Sequence, residues 1–153
     1  MERRVISSIY EATEILKNFL ESKGYTVKAI KKAHFDRHRI FEVEKKIPSF
    51  AGYKIKRYKV YLIYQREPLR YFSKIYKYKV NTDGVGINYE VLKALVDGNF
   101  CLVFFAFRDG RLYAGDPEEI LDFATQNGWI RTSKKTGEKI VNYPTSDLSL
   151  VNI

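Results

Sequence analysis

The feature that most restricts the fold is the run Phe100-Cys101-Leu102-Val103-Phe104-Phe105-Ala106-Phe107, eight apolar residues without a polar interruption. A half-exposed strand alternates apolar and polar side chains; this run does not, so it fits a central strand covered on both faces. It is far too short to cross a bilayer. A strand buried on both sides needs a layer above and a layer below, which points to an α/β domain. Cys101, the only cysteine, lies inside the run and reads as a small buried hydrophobe. A single cysteine also rules out an internal disulfide and a Cys-rich zinc site.

The segments on either side supply those layers. Ser8-Ile9-Tyr10-Glu11 has the form of a capping box. Ile9, Ala12, Ile15, Leu16, Phe19 and Leu20 follow at helical spacing, and Gly24 ends the helix. Tyr25 to Phe35 reads as a strand, Arg37-His38-Arg39 as its turn, and Ile40 to Ile47 as a second strand. Pro48 to Gly52 reads as a loop, and Lys54 to Tyr64 as a long third strand rich in β-branched and aromatic residues. Pro68 to Tyr78 has a short helical face, and Asn81 to Gly86 reads as a loop. Asn88 caps a helix that runs to Asp97 and closes at Gly98. Asp109-Gly110 makes a hairpin between the apolar run and Leu112-Tyr113. Asp116-Pro117-Glu118-Glu119 opens a last helix, which ends at Asn127-Gly128 under a Trp129 lid. The tail holds a turn at Thr136-Gly137 and one or two short strands. The expectation is one domain over residues 1–153, with a mixed central sheet and helices on both faces. Its first three strands form a meander, and the strands flanking the middle helix form a crossover.

Charge points to a partner. The net charge is +9, and Tyr53 to Lys79 holds nine basic residues against Glu67 alone, so nearly all of the excess falls in one segment. Within it, Lys54 to Arg66 interleaves cations with tyrosines. Period-two geometry puts Arg57, Lys59, Tyr61, Ile63 and Gln65 on one face, and Lys56, Tyr58, Val60, Leu62 and Tyr64 on the other. Lysine and arginine neutralise phosphates and tyrosines stack on bases, so Lys54, Lys56, Arg57, Lys59, Arg66 and Arg70 are the candidate nucleic-acid contacts, with DNA as the expected partner. The plainer alternative is a solubilised edge strand whose lysines block aggregation. The start, Met1-Glu2-Arg3-Arg4, leads into a polar helix rather than an apolar signal segment. A cytoplasmic protein without a membrane partner is therefore expected. Low Met, Cys and Gln with abundant Lys, Glu, Tyr and Ile hint at a thermophile.

A second group could do chemistry. On an extended chain Asp36, His38, Ile40, Glu42, Glu44 and Lys46 share one face. Asp36, Glu42 and Glu44 are candidate ligands for magnesium or manganese. Lys46 is a candidate cation for the charge on an attacked phosphate. Glu11 can be read as a further acid, although its capping role already accounts for it. A solvated strand face of alternating charge is the alternative for this whole group. His34 and His38 read as turn residues. Gly84-Val85-Gly86 before a helix could cradle a phosphate, or could serve a loop that needs positive φ.

The leading helix Glu11 to Gly24, followed by Tyr25-Thr26-Val27, then three strands, a helix and another strand, resembles the restriction-endonuclease-like superfamily. The likeness is to archaeal resolvases and virus or plasmid nucleases. The resemblance implies a restriction-endonuclease-like core and metal-dependent phosphodiester cleavage, with Asp36, Glu44, Lys46 and Glu11 as catalytic residues and a possible homodimer. The family places an acid-x-Lys motif on its third strand. If Lys54 to Tyr64 is that strand, the motif position reads Tyr64-Gln65-Arg66 and lacks both acid and lysine. The alternatives are a non-catalytic DNA-binding protein of a mobile element and a basic module that meets an acidic protein.

Overall fold

The structure, a computed structural model, describes residues 4–153; the opening Met1-Glu2-Arg3 considered above lies outside the described residues. Helix α1 (Ile9–Ser22) starts where the Ser8 hydroxyl accepts from the Glu11 amide. It ends at Gly24, whose φ of +88° suits glycine. Strands β1 (Thr26–Lys32), β2 (His38–Ser49) and β3 (Gly52–Tyr64) then form an antiparallel meander. The short α2 (Phe72–Ile75), β4 (Gly84–Asn88) and α3 (Tyr89–Asp97) carry the chain over the sheet to β5 (Leu102–Ala106). β5 lies parallel to β3, with Val60 beside Leu102 and Tyr64 beside Ala106. After β6 (Leu112–Gly115) come α4 (Pro117–Asn127), β7 (Ile130–Thr132), β8 (Lys139–Pro144) and β9 (Ser149–Val151).

Two sheets result. The larger has the order β1-β2-β3-β5-β6-β9, and the smaller has the order β4-β8-β7. Side-chain parity assigns the faces. Phe41, Val43, Val60, Leu62, Tyr64, Phe104 and Ala106 pack under α1, with Leu16 and Leu20. Tyr61, Ile63, Val103 and Phe105 face the other way, onto α3, α4 and the smaller sheet. The expected mixed sheet with helices on both faces is therefore present, in a single domain. Each fully buried side chain of the Phe or Leu class contributes about 1.5–3 kcal/mol relative to exposure, so these two clusters are the main source of stability. Trp129 packs edge-on to Phe72, Tyr78 and Tyr143, which closes the second cluster.

Four local expectations are corrected. The β2–β3 hairpin extends beyond the expected loop: Ser49 pairs with Gly52, leaving only Phe50 and Ala51 in the turn. Pro48 is tolerated because β1 stops pairing at Glu44, so the outer side of β2 needs no donor there. His38 is the first residue of β2 rather than part of the turn. Cys101 is exposed, because β5 begins only at Leu102; its thiol donates to the Lys59 carbonyl at 3.4 Å. Finally, Gly84-Val85-Gly86 is strand β4, paired with Pro144, Tyr143 and Asn142, and neither glycine has positive φ.

Gly84 is small for packing, not for a ligand. A Cβ there would stand 2.8 Å from the Phe72 ring and 3.3 Å from the Tyr143 carbonyl oxygen. Gly84→Ala should cost about 1–3 kcal/mol by overpacking. At Gly86 the nearest atom would be 3.4 Å away, so Gly86→Ala should cost less. Denaturant titration of both variants tests this. A phosphate cradle would instead leave stability unchanged and weaken binding.

Candidate nucleic-acid interface

The basic segment does not form one surface. β3 runs from Lys54 at one end of the molecule to Arg66 just past the other end. At about 3.3 Å per residue these lie about 40 Å apart. Lys54, Lys56 and Arg57 belong to the outer half of the β2–β3 hairpin, and Lys59 to its root. Arg66 and Arg70 follow the C-terminal end of β3.

The outer half is an arm. β1 pairs with β2 only as far as Glu44, and β5 pairs with β3 only from Val60 onward. Residues 45–58 therefore project as a two-stranded ribbon holding five basic residues and no acid. Cross-strand register sorts them. Lys45 faces Lys56 and Ile47 faces Lys54, on the side that carries α1. On the other side Glu44 faces Arg57, Lys46 faces Ile55, and Pro48 faces Tyr53. Lys45 lies over the Tyr25 ring at 4.6 Å and Lys56 over the Tyr58 ring at 5.3 Å, and the two rings meet edge-to-face. At the tip Phe50 is fully exposed, with Tyr53 and Ile55 exposed behind it.

On the arm's face away from α1, Arg57 is answered by an acid, while Lys46 forms no ion pair among the described residues. Arg57 donates to Glu44 at 3.2 Å. Lys59 stands opposite Glu42 and over the Phe100 ring. Arg70 pairs with Glu67 at 3.5 Å. On the α1 face Lys54 and Lys56 have no acidic neighbour among the described residues, while Lys45 reaches the Lys23 carbonyl at 3.5 Å. The sequence reading took Lys54, Lys56, Arg57, Lys59, Arg66 and Arg70 together and did not include Lys45. The missing signal was register, since hairpin pairing decides which cations meet acids.

The acid group is spread by the same geometry. Glu42, Glu44 and Lys46 share the face away from α1, as alternation requires. Glu42 accepts from Lys31 at 2.9 Å and Glu44 from Arg57, so each carboxylate already has a cation. Asp36 sits in the exposed β1–β2 turn, where its backbone carbonyl accepts from Arg39. Glu11 does not join them, because α1 lies across the sheet. Its carboxylate accepts from the Ser7 amide and hydroxyl at 3.0 and 2.9 Å, and those bonds hold it below the usual carboxylate range. No group of three metal-ligating side chains occurs among the described residues.

The far end of β3 holds a different cluster. Arg37, Tyr64, Arg66 and Arg108 border a cleft at the start of α1. Beside it, half-buried His38 shares a 2.7 Å hydrogen bond with the Tyr61 hydroxyl. Burial, aided by the neighbouring Arg39 charge, lowers the His38 pKa to about 4. Burial also raises that of Tyr61, so both groups are neutral at pH 7. Of these residues only Arg66 was a sequence candidate. No family model, curated protein or solved structure matches this chain, and no described helix is long and apolar enough to cross a membrane.

His38 gives a pH signature. An unfolded histidine protonates near 6.5 and this one only near 4, so between those values the unfolded state binds more protons. Stability should fall as pH is lowered through that window. His38→Gln, which cannot take the proton, should lose less between about pH 7 and about pH 4.5. Chemical denaturation at several pH values measures both. Parallel losses in the two proteins would rule out a neutral imidazole held in the fold.

Proposed function

We propose that this protein binds nucleic acid, with DNA as the first candidate, through the β2–β3 arm. The observation that carries the reading is the α1 face of that arm, where Lys45 stands directly opposite Lys56 with Lys54 beside them. Like charges placed opposite on a ribbon destabilise it. A polyanion removes that cost and gains counterion release as well. The shape agrees, since a two-stranded ribbon fits the major groove. The exposed Phe50 and Tyr53 add aromatic faces on which bases can stack.

Cleavage at Glu44 and Lys46 receives less support. A metal site there would have to take Glu44 from Arg57 and Glu42 from Lys31, and it would lack Glu11, which lies beyond the sheet. The arrangement favours binding without chemistry on this arm.

Lys56→Glu separates the binding reading from a merely solubilising arm. It replaces a like-charge pair with an opposite-charge one, so stability should rise by a few tenths of a kcal/mol. Affinity for duplex DNA should fall at the same time, and the slope of log affinity against log salt should become shallower by about 1–2. Fluorescence anisotropy across a salt series measures both affinity terms. Salt-independent binding, or unchanged affinity in the variant, would sink the proposal. Equal affinity for polyglutamate and DNA would reassign the arm to acidic proteins.

A further inference from the structure

Three neighbouring strands of the large sheet reach an arginine at the same level. β3 and β5 run parallel with Tyr64 beside Ala106, and Arg66 and Arg108 each follow two residues later. The ladder continues to them: the Gln65 amide donates to the Ala106 carbonyl at 2.9 Å, and the Arg108 amide to the Arg66 carbonyl at 3.0 Å. On the other side of β3, the Tyr64 amide donates to the Arg37 carbonyl at 2.9 Å. Residues paired across a sheet share a face, and Tyr64 and Ala106 face α1. All three arginines border the cleft at the start of α1, and Arg37 and Arg66 also border the neighbouring cleft that holds Asp36 and Glu67. With Ser7, Ser8 and Tyr64 they line a cleft of about 350 Å³.

None of the three forms an ion pair with a carboxylate among the described residues. Glu11 lies close by, but its carboxylate is occupied by the Ser7 amide and hydroxyl. It caps the start of α1, so the three guanidinium groups are the charges left free at the cleft. Guanidinium presents paired donors that match phosphate oxygens two at a time. The cleft is at the small end of the range for ligand sites, which suits one phosphoryl group and its immediate substituent.

We propose that Arg37, Arg66 and Arg108 form a binding site for a single phosphate group, at the opposite end of β3 from the arm. The site does not depend on the arm's function. The phosphate can belong to a nucleic-acid strand end or to an internal phosphodiester, and the chemistry of recognition is shared.

Inorganic phosphate is the first probe. A ligand that binds only the folded state raises Tm with its concentration. At matched ionic strength, phosphate should raise the Tm of the full chain above its value in chloride. The Lys56→Glu arm variant should keep that rise. The double variant Arg66→Gln/Arg108→Gln should keep its Tm in chloride and lose the rise. Should that variant not fold, Arg66→Lys/Arg108→Lys retains the charge but not the paired donors, and most of the rise should still be lost. A wild type without a phosphate-specific rise, or a rise that survives in these arginine variants, overturns the proposal. Short duplexes with 5′-phosphate or 5′-hydroxyl ends then distinguish the source. A several-fold preference for 5′-phosphate that the arginine variant abolishes assigns a strand end. Equal affinities that both fall in the variant assign an internal phosphodiester.

Discussion

The parallel pairing of β3 with β5 organises this molecule. Both strands are buried on both faces where they meet, so a layer must cover each side. α1 supplies one layer; α3, α4 and the smaller sheet supply the other. A parallel pair also requires a crossover, and α2, β4 and α3 fill it. β4 then recruits β8 and β7 into the second sheet. Pairing also aligns the strand ends. That register sets Arg66 beside Arg108, and the antiparallel partner adds Arg37.

Electrostatics follows the division between core and periphery. Some acids and cations are matched: Lys31 with Glu42, Arg57 with Glu44 at the root of the arm, and Arg111 with both Asp83 and Asp109 beside the β5–β6 turn. The exposed pair Lys31–Glu42 contributes little to stability, about 0–1 kcal/mol. Lys45, Lys54 and Lys56 at one end of β3, and Arg37, Arg66 and Arg108 at the other, are not among the paired cations. The linear sequence shows the basic segment, but strand pairing divides it between the arm and the far end of β3.

Much of the fold was legible because its signals are local. The Ser8 and Asp116 caps, the Asn88 cap and the glycine stops depend on neighbours within a turn, and each helix lies where they placed it. The uninterrupted run from Phe100 foretold a strand buried on both faces. The parity of Tyr61 and Ile63 against Val60, Leu62 and Tyr64 matches the two clusters. The candidate site was less legible because it depends on distant partners. Nothing near Arg57 in sequence announces Glu44 across the hairpin. Glu11 looked available until α1 took the far side of the sheet. Gly84 and Gly86 looked like loop glycines because the strand partner that requires them, β8, lies more than fifty residues later. One signal was readable in hindsight: Tyr64-Gln65-Arg66 and Ala106-Phe107-Arg108 end paired strands with arginine at the same offset.

β3 also works as a strut. Its two basic ends are joined by one hydrogen-bonded strand, so their separation, at most about 40 Å, is set by strand geometry rather than by domain motion. That distance is comparable with one turn of duplex DNA, about 34–36 Å. α1 lies between the two ends and presents Glu14 and Glu21 outward. A straight polyanion laid along this face would have to cross those carboxylates. If both proposed sites bind phosphate, α1 stands between them, and one strand can reach both only by passing over it.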